Sequence, residues 1–504
     1  MVSTDMIPVI AWPVWIIFLP LVTAIFAFLF RRRGAQLGIV AALGLVPALS
    51  GLIWQVLGNG PKQYAVGGWG APLGIELYAD GLSIIMLTMT ALVGIGTTLY
   101  ATGYYSPTGE AKGKHHHRDP ALFWPLWLLL WAALNGLFLS ADVFNLYVAL
   151  ELLGLSSVAL VALAGGPSAV AAAMRYLLVS LLGSLSYLLG VALLYFAYGN
   201  LSLGLLAQSM TSFPASFAAI ALMTAGLTMK TALFPLHFWL PPAHANAPAP
   251  VSTVLSALVV KASFYLLLRL WFQVFMNAVT PSAALLLGIL GAAAIFWGSV
   301  QALLAQRLKL LVAYSTVAQL GYLFLVFPLA QGKGTGFSAW SGGLYFILSH
   351  ACAKAAAFLA AGTVLYGFGH DRIDELAGIT QRLPVTMFAF AIAGVSLIGL
   401  PPSGGFIAKW LLLNAALAGG QWWWAIVIIL GGLLAAAYVF RFFSRAFSYV
   451  EEVPVCRDLP WSMELTALAL ALAAMALGMI FTQPLAVMEI AAPLSGPVLT
   501  GGLP

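Results

Sequence analysis

The chain has 504 residues, of which 62% are hydrophobic and only 7% charged, with a mean hydropathy of +1.00. No water-soluble globular chain of this length has that composition. The formal net charge of +6 is spread over short loops and forms no basic face for nucleic acid.

Apolar runs of 18 or more residues recur from end to end, which reads as a polytopic helical membrane protein. The weak two-residue alternation of a membrane β-barrel is absent. The first run follows MVSTDMIPV, which has neither a basic n-region nor a small-residue cleavage site, so it is taken as the first span and not as a removed signal peptide. Fourteen spans are predicted, near 9–30, 36–57, 79–101, 120–139, 142–163, 169–198, 214–233, 250–273, 280–303, 310–330, 340–368, 385–415, 421–440 and 462–488. The twelfth is over-long and is interrupted by GLPPSGG at 399–405. The longest polar gap, about 103 to 119, leaves no room for a catalytic domain outside the membrane. Its His115, His116 and His117 read as a solvated loop run better than as a metal site.

Loop charge sets the orientation. Arg31 to Arg33 follow the first span, Lys112, Lys114 and Arg118 the third, Arg307 and Lys309 the ninth, Arg372 and Arg382 the eleventh, and Arg441, Arg445 and Arg457 the thirteenth. The other side carries little beyond Lys62, Lys333 and Arg269. Basic loops stay in the cytoplasm, so both termini are expected on the outer side. Cys352 falls in a span and Cys456 in a cytoplasmic loop, so neither a disulfide nor a metal cluster is expected.

Four lysines stand out because they lie inside predicted spans: Lys230, Lys261, Lys354 and Lys409. A charged side chain at the bilayer centre costs about 2.5–3.5 kcal/mol on insertion scales. A buried amine can load and release a proton near neutral pH, which gives these positions a use. The competing explanation is snorkelling to the interface, which Lys261 and Lys354 are too central to manage easily. Lys230 and Lys409 sit beside Pro-rich breaks, in MKTALFPLHFWLPPAH and GLPPSGGFIAK, where local water could solvate them without any transport role. Broken helices at corresponding places in two halves point to a midplane ion site.

Glu151, in the middle of the fifth span, is the one acid deep within a span and requires a lysine neighbour. A static pair locking two helices is the alternative. Asp80 and Asp142 lie at span entrances, where they can cap helices. His237 and His244 flank the first break, and His350 precedes Lys354 by four residues, on the same helix face. Histidine can bridge lysines in a relay or simply hydrogen-bond a loop, the plainer role fitting His244 best. Ser156, Ser157, Ser180, Ser184, Ser186, Thr224 and Thr228 fit either a wet path or ordinary helix packing. No phosphate loop, dinucleotide fingerprint, haem or iron–sulfur spacing is present, so no cofactor or metal is assigned. The energy source must lie outside the chain or be an ion gradient.

Residues 229–271, MKTALFPLHFWLPPAHANAPAPVSTVLSALVVKASFYLLLRLW, together with RLKLLVAYSTVAQLGYLFL at 307–325 and DRIDELAGI with GLPPSGGFIAKW within 371–410, resemble the proton-conducting antiporter-like subunits of complex I, membrane-bound hydrogenases and Mrp cation/proton antiporters. The likeness in span order covers nearly the whole chain. In detail it is most similar to the D-type Mrp subunit: AHANAPAPVS is followed by Lys261, no long C-terminal extension follows, and Lys409 stands where a complex I subunit of similar length often has glutamate. The resemblance implies an all-α membrane domain over 1–504. Its parts would be three N-terminal spans (1–119), a first five-helix repeat (120–273, spans 4–8), an inverted second repeat (280–440, spans 9–13) and a last loop, span and C-terminus (441–504). It also implies a proton relay with Glu151 as partner acid, Lys230 as first-half site, Lys261 as central connector, His350 and Lys354 in the second half, Lys409 near the exit and His237 beside the first break. Other membrane subunits, the bilayer, protons and Na+ would be its partners, in a bacterial cell membrane. The alternatives are a redox-driven pump subunit, a scaffold whose buried charges serve only assembly, and a stand-alone transporter.

Overall fold

A computed structural model describes residues 11–106, 120–451 and 455–494; the histidine run at 115–117 lies outside the described residues. The helices are α1 Trp12–Leu29, α2 Gly34–Asn59, α3 Gly81–Tyr104, α4 Phe123–Leu139, α5 Val143–Ala162, α6 Gly166–Tyr198, a short α7 Leu203–Ser209, α8 Pro214–Lys230, α9 Leu240–Asn246, α10 Ala249–Val274, α11 Pro281–Leu304, α12 Leu308–Leu329, α13 Gly336–Phe368, α14 Pro384–Ile398, α15 Gly404–Ala418, α16 Trp422–Ala446, α17 Trp461–Met479 and α18 Thr482–Glu489. Among the described residues, 11 helices are long and apolar enough to cross a membrane, and α4, α14 and α15 are apolar but shorter.

Two predicted spans are not single helices. The seventh ends as α8 at Lys230, near its predicted end, and a half-helix, α9, follows in the gap before the eighth; the twelfth divides into α14 and α15, and the fourteenth into α17 and α18. Proline and glycine cause the first two breaks. After α8 the chain turns through Ala232, at φ 58°, toward Pro235 and then Pro241 and Pro242. After α14, Gly399 adopts φ 90°, and Pro401 and Pro402 have no N–H to offer a helix. Ser403 Oγ then accepts from Phe406 N at 3.2 Å and starts α15. The all-helical expectation misses one small feature, an antiparallel hairpin of β1 Lys62–Ala65 and β2 Glu76–Ala79, with Lys62 opposite Ala79. It sits in the connection from α2 to α3, where polar residues and glycines cannot continue a span.

The centre of the protein is α10 and α13, both buried throughout their apolar middle segments. They pack on each other, with α12 alongside. Helices α1, α2, α6, α11 and α16 form the outer wall and carry more than half of the exposed large apolar side chains, as the bilayer requires. Two turns of α10, 255–259 and 270–274, widen to π-helical bonding, which loosens the backbone hydrogen bonds beside Lys261 and Arg269.

The acids at span entrances do cap helices. Asp142 Oδ1 accepts from Phe144 N and Asn145 N at 2.9 Å, and Asp80 Oδ1 accepts from Ser83 N at 2.9 Å. Asp80 also takes both terminal nitrogens of Arg269, at 2.8 and 2.9 Å, which joins α3 to α10. Arg269 donates further to Ser83 Oγ, Tyr265 Oη and Gln273 Oε1. Every donor group in this buried network has an acceptor, which is the condition under which a buried pair is tolerated. Replacing either partner singly, as in Arg269→Ala or Asp80→Ala, is expected to cost about 3–5 kcal/mol. Thermal unfolding of the purified protein in detergent should show the loss, and the double replacement Asp80→Leu with Arg269→Met should recover most of it.

Candidate proton-transfer site

The first break places an amine against an acid. Lys230, the last residue of α8, points across α5, where its Nζ lies 3.5 Å from Glu151 Oε1 and 3.4 Å from the carbonyl of Leu150. The lysine side chain is 5% exposed and that of Glu151 19%. Small residues make the room. A Cβ at Gly154 would stand 3.5 Å from Lys230 Nζ, and one at Gly183 would stand 3.2 Å from its Cγ. This contact is longer and less satisfied than the Asp80–Arg269 pair, so it is the looser of the two buried ion pairs.

Among the described residues, the other predicted lysines have no carboxylate partner. Lys261, fully buried in α10, donates to the carbonyl of Ser256 in the widened turn, and Ser256 Oγ is 2.9 Å from Thr316 Oγ1 of α12. Lys354, fully buried in α13, donates to Val312 O at 3.0 Å and to Ser315 Oγ. Lys409 lies in α15 and reaches back over the second break to Leu397 O at 3.0 Å and Ile398 O at 2.9 Å, the open carbonyl end of α14. A helix C-terminus carries partial negative charge, so the break provides a half-charge where no acid exists. Tyr322 offers its ring face 4.5 Å from the same Nζ.

The histidines divide. His350, on α13, stacks on Phe346 and has no hydrogen-bond partner on either nitrogen, and the charges of Lys261, Lys354 and Lys409 all reach it. It sits between the central lysines and the second break. His237 stacks on Phe234 in the first break, and no neighbouring charge acts on it. The structure therefore gathers Lys261, Lys354, His350 and Lys409 into one region and leaves His237 outside it. The Glu151–Lys230 pair also stands apart. Between Lys230 and α10 lies a cavity of about 10 Å³, room for one water, lined by Gly154, Tyr176, Ser180 and Ser263.

Two residues of the region are not marked by sequence alone. His244, given a plain packing role there, is fully buried against Phe358 with neither nitrogen in a close hydrogen bond, within reach of the charges of Lys261, Lys309 and Lys354. Lys309, counted among the loop charges, is 1% exposed and donates to the carbonyl of Ala247. Its position at the first turn of an apolar helix is the available signal. Among the serines and threonines, Ser180 lines the small cavity and Ser186 Oγ bonds Leu222 O across the α6–α8 contact at 2.8 Å. Ser157 and Thr228 bond carbonyls of their own helices.

Comparison with known proteins agrees with this architecture. Residues 140–435 match the family described as NADH:quinone oxidoreductase/Mrp antiporter, TM. The N-type subunit of the NADH-quinone oxidoreductase of Desulforudis audaxviator is 36% identical over 444 residues, 86% of each chain. The D-type subunit of the Na(+)/H(+) antiporter of Alkalihalophilus pseudofirmus is 28% identical over 408 residues, 79% of each. Among solved structures, a chain of the Mrp complex from Dietzia sp. superposes with a TM-score of 0.84 at 25% identity, over 96% of this chain and 97% of that one. A chain of an archaeal membrane-bound sulfane sulfur reductase gives 0.86 at 26%, over 96% and 98%.

The second break makes a direct test of the carbonyl-bound amine. At Gly399 a Cβ would stand 2.7 Å from Lys409 Cδ, and the backbone there is left-handed. Gly399→Ala is expected to add about 1–3 kcal/mol of strain and to dislodge Lys409 from its two carbonyls. Ion-exchange assays on the assembled complex should show most transport lost, with the thermal midpoint modestly lowered.

Proposed function

We propose, from the premise that this chain belongs to the transmembrane family of NADH:quinone oxidoreductases and Mrp antiporters, that it is the proton-translocating subunit of a multi-subunit monovalent cation/proton antiporter. Protons pass between buried amines and imidazoles through bound water, and the chain makes and breaks no covalent bond of a substrate. The observation that carries this reading is the way the amines are held. Four lysines that no sidedness or loop argument requires are buried in the two halves, three of them on neutral oxygens and one against a single carboxylate.

A neutral oxygen accepts a hydrogen bond from an amine whether or not it carries its extra proton, so such a site can load and unload without collapsing. The Glu151–Lys230 contact is the switch. With the carboxylate near, the proton is held on Lys230; with the pair separated, the buried ammonium loses its counter-charge and gives the proton up toward α10. Glu151 is partly exposed at mid-span, which is supportable in a membrane only where another protein surface covers it. That favours a hetero-oligomer over a stand-alone transporter. The bacterial relatives named as D-type subunits of Na(+)/H(+) and K(+)/H(+) antiporters support Na+ or K+ as the exchanged ion. They also support a bacterial cell membrane as the location, and loop charge favours both termini outside.

One observation favours a second reading, the higher identity with the N-type subunit of a NADH-quinone oxidoreductase. In that case the same relay would be driven by redox chemistry in partner subunits. Co-purification separates the two: small antiporter subunits on one side, quinone- and iron–sulfur-binding subunits on the other.

Replacing Glu151 or Lys230 by alanine in the intact complex is expected to lower proton-coupled cation flux in vesicles about tenfold or more, the effect of removing a close counter-charge worth at least one pKa unit. Complex assembly, followed by size-exclusion chromatography, should be retained. Near-normal flux would refute the switch, and loss of assembly together with flux would favour a scaffold.

A further inference from the structure

At the end of the bundle where α3 ends and α6, α10 and α12 begin, a cavity of about 270 Å³ opens inward, with room for a cluster of waters. Tyr104, Ser168, Asn246, Arg307, Lys309 and Arg457 line it. Its charged lining is unusual for a passage serving cations: three basic side chains and, among the described residues, no carboxylate. The nearby acid, Asp371, is already engaged, its Oδ1 by Arg307 Nε at 2.8 Å and its Oδ2 by the backbone N–H of Lys309 at 3.1 Å. The guanidinium of Arg457 has no hydrogen bond among the described residues.

Lys309 links this cavity to the interior. Its Nζ donates to Ala247 O, just past the end of α9, the half-helix that carries His244. His244, with neither nitrogen in a close hydrogen bond and a longer polar contact to the Ser252 backbone, feels the charges of Lys309, Lys261 and Lys354. So a water-accessible pocket, a buried amine, a buried imidazole and the central lysines follow one another inward.

We propose that this cavity is the inner mouth of the proton path, with Lys309 as its terminal amine, and that the cationic lining keeps metal cations out of this subunit. The exchanged cation then crosses the assembly by another route. The path itself rests on the function proposed above; the wetness and sign of the mouth do not. Protons need no cation to enter, since they arrive as a rearrangement of water, whereas a hydrated Na+ must come bodily past Arg307, Arg457 and Lys309. A cleft lined by one sign of charge changes local ion concentration by about 10-fold to 10³-fold.

Thiol labelling reads this out without any transport. Ser168 is exposed in the first turn of α6 and tolerates replacement, so Ser168→Cys is introduced into the full complex with Cys456→Ser as background. Membrane vesicles of each orientation are treated with anionic sulfonatoethyl and cationic trimethylammonium-ethyl methanethiosulfonates. Labelling is expected only from the inner face, with the anionic reagent favoured by roughly tenfold or more over its intrinsic ratio. Adding Arg457→Glu should bring that preference close to parity. Equal or faster reaction with the cationic reagent, or no labelling from the inner face, overturns the proposal. In the same complex Lys309→Gln should depress proton-coupled flux about tenfold while Lys309→Arg keeps most of it, and near-normal flux in Lys309→Gln removes Lys309 from the path. If Glu151→Ala leaves flux intact, the relay fails, while the labelling preference still decides the sign of the mouth.

Discussion

The protein depends on amines that are buried in apolar helices and held mainly by oxygen atoms of the backbone. A bare ammonium in hydrocarbon would be forced out or would shed its proton, and a carboxylate beside each lysine would fix the charge permanently. Carbonyls lie between these extremes. Lys409 rests on the open end of α14, Lys261 on Ser256 in a widened turn, Lys354 on Val312 and Lys309 on Ala247 beyond the end of α9. Three of these four sites lie at a break, a helix end or a π-turn, where carbonyls are left over by the helix, while Val312 lies inside regular α12 and takes Lys354 as an additional donor. The irregular backbone is therefore the main means by which this membrane interior tolerates titratable nitrogen. It is confined to places enclosed by protein, as the bilayer demands.

The two buried ion pairs show what the same chemistry does at different tightness. Asp80 and Arg269 meet in two short hydrogen bonds, with the remaining donor groups of the guanidinium also satisfied, and the aspartate caps α3 as well. An arginine does not give up its proton in a protein, so this pair can only be structural. Glu151 and Lys230 meet once, at 3.5 Å, beside two glycines and partly open to the outside of the bundle. Lysine can lose its proton, and its long stem can swing where no Cβ blocks it. The sequence raises the static-pair alternative for Glu151; the tight, fully bonded geometry such a pair needs is found at Asp80–Arg269.

Much of the architecture was legible in the sequence because the bilayer imposes a single strong rule, and apolar length reports it directly. The breaks were legible too, since Pro235, Pro401 and Pro402 lie in them and Pro241 and Pro242 fit only the first turn of the helix that follows. What escaped was anything set by which helices touch. Lys309 follows Arg307 in an otherwise ordinary basic loop, and only the docking of α9 against α12 buries it. His244 looked like a loop residue because its role depends on Phe358 and on three lysines distant in sequence. His237, conspicuous beside the first break, lies against Phe234, with no charge of a described residue acting on it. The small hairpin at 62–65 and 76–79 lies in four-residue segments too short to carry a periodic signal.

The separation of the Glu151–Lys230 pair from the central cluster constrains how the halves communicate. The charges of Lys261, Lys354 and Lys409 reach His350, and that of Lys261 reaches Lys354, so in the proposed relay a proton arriving at one would alter its neighbours without any movement of helices. Lys230 has only Glu151 as a charged neighbour and meets α10 across a space for one water. That space is lined by Tyr176 and Ser180 of α6 and by Ser263 of the helix of Lys261. A single water with hydroxyl partners conducts a proton in either direction but admits no metal ion, which would need several oxygen ligands at once. In the proposed relay, a space of that size selects by volume and ligand number before any charge is considered.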